Sequence, residues 1–334
     1  MKPLPIIDSY KAAIIQHPPV FLNLAASLDK ADALITEAAG RGAKVIVFPE
    51  CWLPGYPLWL DLSPKAALWD YPPAKALYRI LAENSIIIPG PHFDALRAMA
   101  ARAGVYVVMG AHQLLGSTIY NTMVYLDKDG EDFRLHRKLI PTYTERLVWG
   151  RGDGSTLNVL KTDYGIIGGL ICWEHWMPLA RAAMHDKRET IHVAQWPWVR
   201  ELHQLASRHY AFEGGCFVLA AGCVITRGEV IDGLDSLGHA ENAARELLEQ
   251  IPGNNTDLIL KGGSAIIGPD TEYLAEPLYN KVGIVEAEIK PQRQAESKMY
   301  LDTAGHYSRP DVFHLEVCEK NQPNVTWSSP ETKE

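Results

Sequence analysis

The chain has no apolar run approaching the roughly 20 residues that a membrane-crossing helix needs. Its opening stretch, MKPLPIIDSYKAAIIQ, lacks the charged, apolar and small-residue layout of a secretory leader. Cysteine is scarce and odd in number, five in 334 residues, and the five are scattered, so no disulfide framework suggests itself. Positive charge is in deficit. The 32 lysines and arginines stand against 40 acids, a net charge of −8, which argues against nucleic acid or an anionic membrane as partner. These absences together lead us to expect a soluble protein of a reducing, cytoplasmic compartment. In that setting three short patterns carry no weight: Arg151-Gly152-Asp153, and the glycosylation-type triplets at 254–256 and 324–326.

What is present is a hydrophobic fraction of 47% with 22% charged residues, ample for a large core. Strands and helices alternate along it. Lys11–Gln16 reads as a strand and Leu24–Ala39 as an amphipathic helix ended by Gly40 and Gly42. Lys44–Phe48 is the next strand, and an aromatic loop with three prolines follows over 51–64. Helices are predicted over 72–83 and 92–103, then a strand over 105–110. Hairpins follow at 119–126 with 132–139, and at 157–161 with 166–171. A helix over 178–186, a strand over 190–195, a helix over 200–213 and an apolar strand over 216–225 continue the alternation. Residues 226–260 are acidic and mostly polar, with one helical piece at 241–250, and read as a surface insertion. Strands return at 264–267, 272–275 and 283–289. We read 1–310 as one domain and 311–334 as an extended tail. Alternation with interleaved hairpins suggests an α/β fold of two mixed, mostly buried sheets covered by helices.

Three residues occupy comparable positions, each just past a strand and beside an irregular loop: Glu50, Lys138 and Cys172. Cys172 ends the small and β-branched run GIIGGLI, where α/β folds keep their chemistry. The helix after it would aim its positive end at that spot and favour a thiolate. Each residue has a duller explanation taken singly: a buried inert thiol, a solvated loop acid, a strand-end surface charge. Together they are chemically complementary. A thiol nucleophile needs a base, and the anion formed on its target needs a fixed cation or N–H donors.

The segments VIVFPE (45–50), HRKLIPTYTERLVWGRGDGS (136–155) and GGLICWEHWMPLAR (168–181) resemble, in order, the signature blocks of the nitrilase superfamily of carbon-nitrogen hydrolases. The ERLVWGRGDG and CWEH wording is similar to the nitrilase branch, and the likeness runs from about residue 10 to 315. It implies a four-layer α-β-β-α sandwich, with Glu50 as general base, Lys138 as cationic stabiliser and Cys172 as nucleophile. Glu145 would match the family's second glutamate, positioning Lys138. The implied reaction is hydrolysis of a nitrile to an acid and ammonia through a cysteine thioimidate and thioester, with no cofactor and no metal. The implied assembly is a homo-oligomer, a dimer or a longer spiral or filament. An amidase or N-carbamoyl amide hydrolase using the same residues is the near alternative, and a non-catalytic assembly protein the distant one. The aromatic residues Tyr56, Trp59, Trp173, Trp196 and Trp198, in loops past strand ends, would suit an aromatic or arylaliphatic substrate. His175 is expected beside the nucleophile as a hydrogen-bonding neighbour near the substrate. A metal reading of Cys172, Glu174, His175, His136 and His192 lacks paired ligand spacing.

Overall fold

The computed structural model describes residues 9–323, 325 and 326. The first eight residues and parts of the predicted tail, 324 and 327–334, lie outside that range. The first sheet begins with β1 (Tyr10–Gln16), whose side chains alternate between its two faces. Ala12 and Ile14 enter the core between the sheets, while Ala13 and Ile15 face a helical layer. Helix α1 (Leu24–Gly40) follows, with the Asn23 side chain accepting from the Ala26 N–H. Its buried stripe of Leu24, Leu28, Ala31, Leu34, Ile35 and Ala38 is the predicted one. Next come β2 (Ala43–Val47), the single turn α2 (Trp59–Leu62), and α3 (Pro72–Glu83) and α4 (Pro91–Ala103). Both longer helices open on proline, whose missing N–H has no partner to lose there.

Strand β3 (Tyr106–Leu115) lies parallel to β2 and turns back into the antiparallel β4 (Thr118–Leu126), then β5 (Phe133–Arg137). The sequence pattern predicts an end to β3 near Gly110, because His112 and Gln113 interrupt the apolar run. Both are nevertheless buried, so the strand continues to the Gly116 turn.

The second sheet contains β6 (Leu160–Thr162) and β7 (Gly165–Ile171), then α5 (Pro178–Asp186) and β8 (Ile191–Gln195), then α6 (Glu201–Gly214) and β9 (Phe217–Ala221). The predicted single strand over 216–225 breaks after Ala221, and the short β10 (Val224–Thr226) pairs separately. A side chain at Gly222 would meet the Gly262 carbonyl and the Val199 backbone, which fixes the corner. The chain then forms α7 (Arg227–Asp235), α8 (Asn242–Leu248), β11 (Leu258–Ile267) and β12 (Tyr273–Tyr279). Strand β13 (Gly283–Ile289) crosses back to pair antiparallel with β1, and α9 (Gln292–Ser297) follows.

The orders are β13-β1-β2-β3-β4-β5 and β10-β11-β9-β8-β7-β6, with β12 on β11. One apolar core lies between α1, α3, α4 and the first sheet; a second joins the facing sheets and α5 and α6. This is the expected four-layer α-β-β-α sandwich. The stretch 226–260 corrects the reading of a surface insertion. Val230 and Leu234 of α7, Leu247 and Leu248 of α8, and Ile251 are buried in the first core. Asp232, Asp235, Glu246 and Glu249 lie on the outer faces of the same short helices, and their acidity masks the apolar stripe in sequence. Past Asp311 the described residues are exposed and without regular elements; the Gln322 N–H donates to Asp153 Oδ2 at 2.8 Å. No helix of the described residues is long and apolar enough to cross a membrane.

One contact in this frame bears directly on residue 50. A Cβ at Gly110 of β3 would stand 2.0 Å from the Pro49 carbonyl oxygen and 2.7 Å from the Cys51 nitrogen. Both are backbone atoms and cannot swing aside. Gly110→Ala should therefore destabilise the fold by about 1–3 kcal/mol, as overpacking does, measured as a lowered denaturation midpoint at unchanged m.

Candidate active site

The site forms where three strand ends meet. Phe48 and Pro49 lead from β2 to Glu50, β5 leads directly to Lys138, and β7 leads directly to Cys172. The chain reverses sharply at two of these points. Cys51 and Cys172 have φ of 49° and 55°, in the left-handed region that non-glycine residues avoid at roughly 1–3 kcal/mol each. At Cys172 the reversal opens a 3₁₀ turn, Cys172–Trp176.

Lys138 is the hub. Its Nζ donates to Glu50 Oε1 at 2.9 Å and to Glu145 Oε2 at 2.7 Å, and all three side chains are almost wholly buried. The ammonium also stands 5.4 Å from the centre of the Trp149 ring. Glu145 is the third residue of a turn (Tyr143–Leu147) in which its carboxylate accepts from the Thr142 N–H, and Tyr56 O–H donates to its other oxygen at 2.8 Å. Glu50 Oε1 accepts a second bond from Asn121 Nδ2 on β4 at 2.7 Å. Its Oε2 is buried and has no hydrogen-bond partner among the described residues. A carboxylate oxygen of Glu50, one of Glu145 and the Cys172 sulfur all lie within 4.8 Å of one another. Such a trio could surround a metal ion, but the Lys138 ammonium already bonds both of its carboxylates.

Burial raises the Glu50 carboxyl to about 7, with Lys138 opposing and Glu145 assisting. Burial alone would lower the Lys138 ammonium, yet Cys172, Glu50 and Glu145 together hold it well above the usual lysine range. The Cys172 thiol is pushed well up by burial and by Glu50 and Glu145, with Lys138 and the Trp173 N–H working the other way. This corrects the expected thiolate, which rests on a helix N-terminus and counts no buried carboxylates. The thiol form is the one favoured there, beside a raised carboxyl.

Glu174 joins the two sheets. Its carboxylate accepts from the Leu139 N–H at 2.7 Å and the Ile171 N–H at 2.6 Å, and pairs with His136 Nε2 at 2.8 Å. Burial works against both ions, but each favours the charged form of the other: His136 is raised and Glu174 lowered. A cavity of about 360 Å³ opens over Cys172, walled by Tyr56, Leu58, Leu62, Trp173, Trp198, Ile259 and Leu260, with Asp61, Thr142, Glu145, Arg200 and His203 adding polar atoms.

Comparison with known proteins gives the family. The model of the carbon-nitrogen hydrolase family matches residues 11–299. The chain belongs to the carbon-nitrogen hydrolase family. It is 36% identical to the bifunctional nitrilase/nitrile hydratase NIT4A of Lupinus angustifolius over 97% of this chain and 90% of that protein. Identity to Nitrilase 2 of Arabidopsis thaliana is 36%, over 96% and 91%, and to a nitrilase of Pseudomonas syringae 37%, over 92% and 89%. Among solved structures, Saccharomyces cerevisiae Nit3, of branch 10 of the nitrilase superfamily, superposes at a TM-score of 0.65 and 17% identity. The match covers 92% of this chain and 98% of Nit3. The named nitrilases place the chain in the nitrilase branch of the family.

The structure gathers Glu50, Lys138, Glu145 and Cys172, and it sets Tyr56, Trp173 and Trp198 on the cavity wall. It does not place the other three predicted contacts there. Trp59 is buried against Phe21, Trp196 is stacked between His175 and His203, and His175 is sealed behind Cys172 with its Nδ1 on the Cys172 carbonyl. Loop position, the only sequence signal at those tryptophans, does not say which way a ring turns. Asn121 gives no signal within its apolar strand. Glu174 and His136 stand out in sequence only as candidate metal ligands, whereas they form an ion pair.

Replacing Lys138 with Met would leave two facing buried carboxylates without their cation. We expect a loss of about 3–5 kcal/mol at pH 8, read by chemical denaturation. The loss should shrink toward pH 5, where Glu50, at about 7 even beside Lys138, takes up a proton.

Proposed function

We propose that the protein hydrolyses an organic nitrile to the carboxylic acid and ammonia, with Cys172 as nucleophile. The observation that carries this reading is the buried cluster itself: a thiol, an elevated carboxylate with one oxygen unengaged, and an ammonium, all beside a cavity. The identity to named nitrilases over nearly the whole chain supports nitriles as substrates.

Glu50 takes the Cys172 proton as sulfur bonds to the nitrile carbon and one carbon–nitrogen π bond opens. Lys138 and the Trp173 N–H stabilise the negative nitrogen until Glu50 returns the proton, giving a thioimidate. Glu50 then deprotonates a water that adds to the same carbon. The nitrogen gains protons and departs as ammonia, leaving a thioester. A second water cleaves the carbon–sulfur bond and frees the acid. Expulsion of sulfur from the first tetrahedral adduct would instead release an amide; the names of the lupin and tobacco relatives join nitrilase to nitrile hydratase. Splitting the hydration into covalent steps is the gain from the nucleophile. Glu145 acts through Lys138, fixing its ammonium.

The aromatic and aliphatic walls supplied by Tyr56, Trp173, Trp198, Leu58 and Ile259 suit an aromatic or arylaliphatic nitrile. Leu179 of α5 and Leu202, Leu205 and Phe212 of α6 are exposed on the outer helical layer, and this face is where a second copy would stack, in the cytoplasm.

Cys172→Ala should abolish ammonia release from every nitrile in a panel while the melting profile stays cooperative, and intact-mass analysis of the wild type should catch the acylated sulfur. Retained turnover would remove Cys172 from the chemistry; release of ammonia from amides only would favour the amidase reading. Because the base must be unprotonated and sits at about 7, kcat/KM should fall on the acid side of pH 7, roughly tenfold per unit. Glu50→Gln should be inactive at every pH.

A further inference from the structure

Behind Cys172, away from the cavity, runs a chain of buried polar groups that the reaction does not use. His175 Nδ1 lies 2.7 Å from the Cys172 carbonyl oxygen, and His175 Nε2 lies 3.0 Å from His192 Nε2. His192 Nδ1 lies 3.0 Å from Glu189 Oε1, and Glu189 Oε2 accepts from Tyr210 O–H at 2.6 Å. All five residues are buried. The rings cannot turn over freely. His175 is stacked on Trp196 at 4.7 Å, and His192 on Tyr210 at 3.5 Å between centroids.

The protons in this chain follow from its ends. A carbonyl oxygen only accepts, so His175 carries a proton on Nδ1. In its neutral form Nε2 is then an acceptor, and the contact with His192 requires a proton on His192 Nε2. That leaves His192 Nδ1 as an acceptor, so its partner Glu189 must donate and is therefore a carboxylic acid. Moving the Glu189 proton to His192 Nδ1 gives a Glu189 carboxylate and a doubly protonated His192, and passing the His192 Nε2 proton on gives a doubly protonated His175 instead; all three arrangements hold the same number of protons. Removing one breaks the chain at one contact: Glu189 and His192 Nδ1 face each other as two acceptors, or two bare ring nitrogens do, or His175 moves its proton to Nε2 and releases the Cys172 carbonyl.

We propose that Glu189, His192 and His175 form a relay that positions Cys172 through its carbonyl oxygen, and that the relay holds only while it keeps the proton shared with Glu189. The proposal rests on the reading of Cys172 as nucleophile. Cys172 is at φ 55°, a conformation that needs outside support, and the bond from His175 is a fixed contact on its carbonyl. A Cβ at Gly168 of β7 would stand 1.9 Å from Glu189 Oε1, so the strand leading to Cys172 leaves room for this acid. The groups facing the relay act against the neutral acid, and burial outweighs them: the Tyr210 bond, His185 of α5 (turned to Glu213 of α6 at 3.2 Å) and His136 (paired with Glu174 across the sheet) each pull the Glu189 carboxyl down, while Cys216 is a buried thiol. Burial moves Glu189 up to about 8 and both His175 and His192 well down, in the sense that keeps the acid protonated and the rings neutral. Glu189, His192 and His175 are positioning residues and touch no reacting atom.

Two measurements test this. In ¹⁵N NMR of histidine-labelled wild-type protein at pH 7, with the His175 signals assigned by difference against H175N, His175 should be protonated on Nδ1; a neutral ring protonated on Nε2 overturns the proposal. This readout needs no turnover, so it decides the relay even if no nitrile is hydrolysed and the proposed activity fails. In kinetics, wild-type kcat should fall above about pH 8. E189Q, whose amide can donate to His192 and accept from Tyr210 without titrating, should keep at least roughly a third of kcat at pH 7 and lose that alkaline fall. E189A should lose about tenfold or more in kcat with KM within about threefold. An E189Q profile that falls like the wild type's overturns the proposal, and if E189Q does not fold, the wild-type NMR result alone decides.

Discussion

The site depends on a single ammonium shared by two buried carboxylates. Two acids taken from water into one pocket repel each other and lose hydration, and neither would stay ionised there without a cation. Lys138 meets that demand for Glu50 and Glu145 at once. Asn121, Tyr56 and the Thr142 N–H supply the remaining bonds. The compensation is uneven. Glu145 is engaged on both oxygens, while Glu50 keeps one free and sits at about 7. One acid is thereby fixed as structure and the other remains able to accept a proton from the neighbouring thiol.

The position of that thiol is a matter of packing between layers. Glu50 and Lys138 are delivered by the first sheet and Cys172 by the second. Glu174 bonds the ends of β5 and β7 together, and Gln195 Nε2 reaches from the end of β8 to the Phe48 carbonyl at 2.8 Å. Glycines take up the closest approaches, Gly110 under Glu50 and Gly152 under Arg137, where a Cβ would stand 2.2 Å from the Arg137 carbonyl oxygen. The loop that carries Glu145 is held by the same contact region, since the Gly152 N–H donates to the Lys138 carbonyl.

Much of this is legible in the sequence because it depends on strand ends. A buried apolar run that stops at a polar residue places that residue at a sheet edge, and Glu50 and Cys172 obey the rule, whereas Lys138 ends a mostly polar, partly buried hairpin strand. The ordered blocks around them carry the family and, through it, the four-layer fold. What escapes reading depends on side-chain direction and pairing. Trp59 and Trp196 stand in loops near the cavity and turn inward to the core. Asn121 looks like an interruption in an apolar strand until Glu50 is placed beside it. The acidic exterior of α7 and α8 conceals short apolar stripes that only tertiary packing makes meaningful. The state of the Cys172 thiol lies beyond a local helix-end argument, which cannot count charges from distant segments.

The division of the reactive groups between two sheets has a consequence for how the molecule fails. A slide of one layer over the other by about an ångström or two would leave each sheet's hydrogen bonds whole, yet part the Cys172 sulfur from the Glu50 carboxylate. The layers meet through side chains that interlock at crystal-like density, so intermediate offsets have no comfortable seat. Chemical competence thus serves as a gauge of interlayer alignment: it should vanish with the first loosening of the sandwich, before either sheet comes apart.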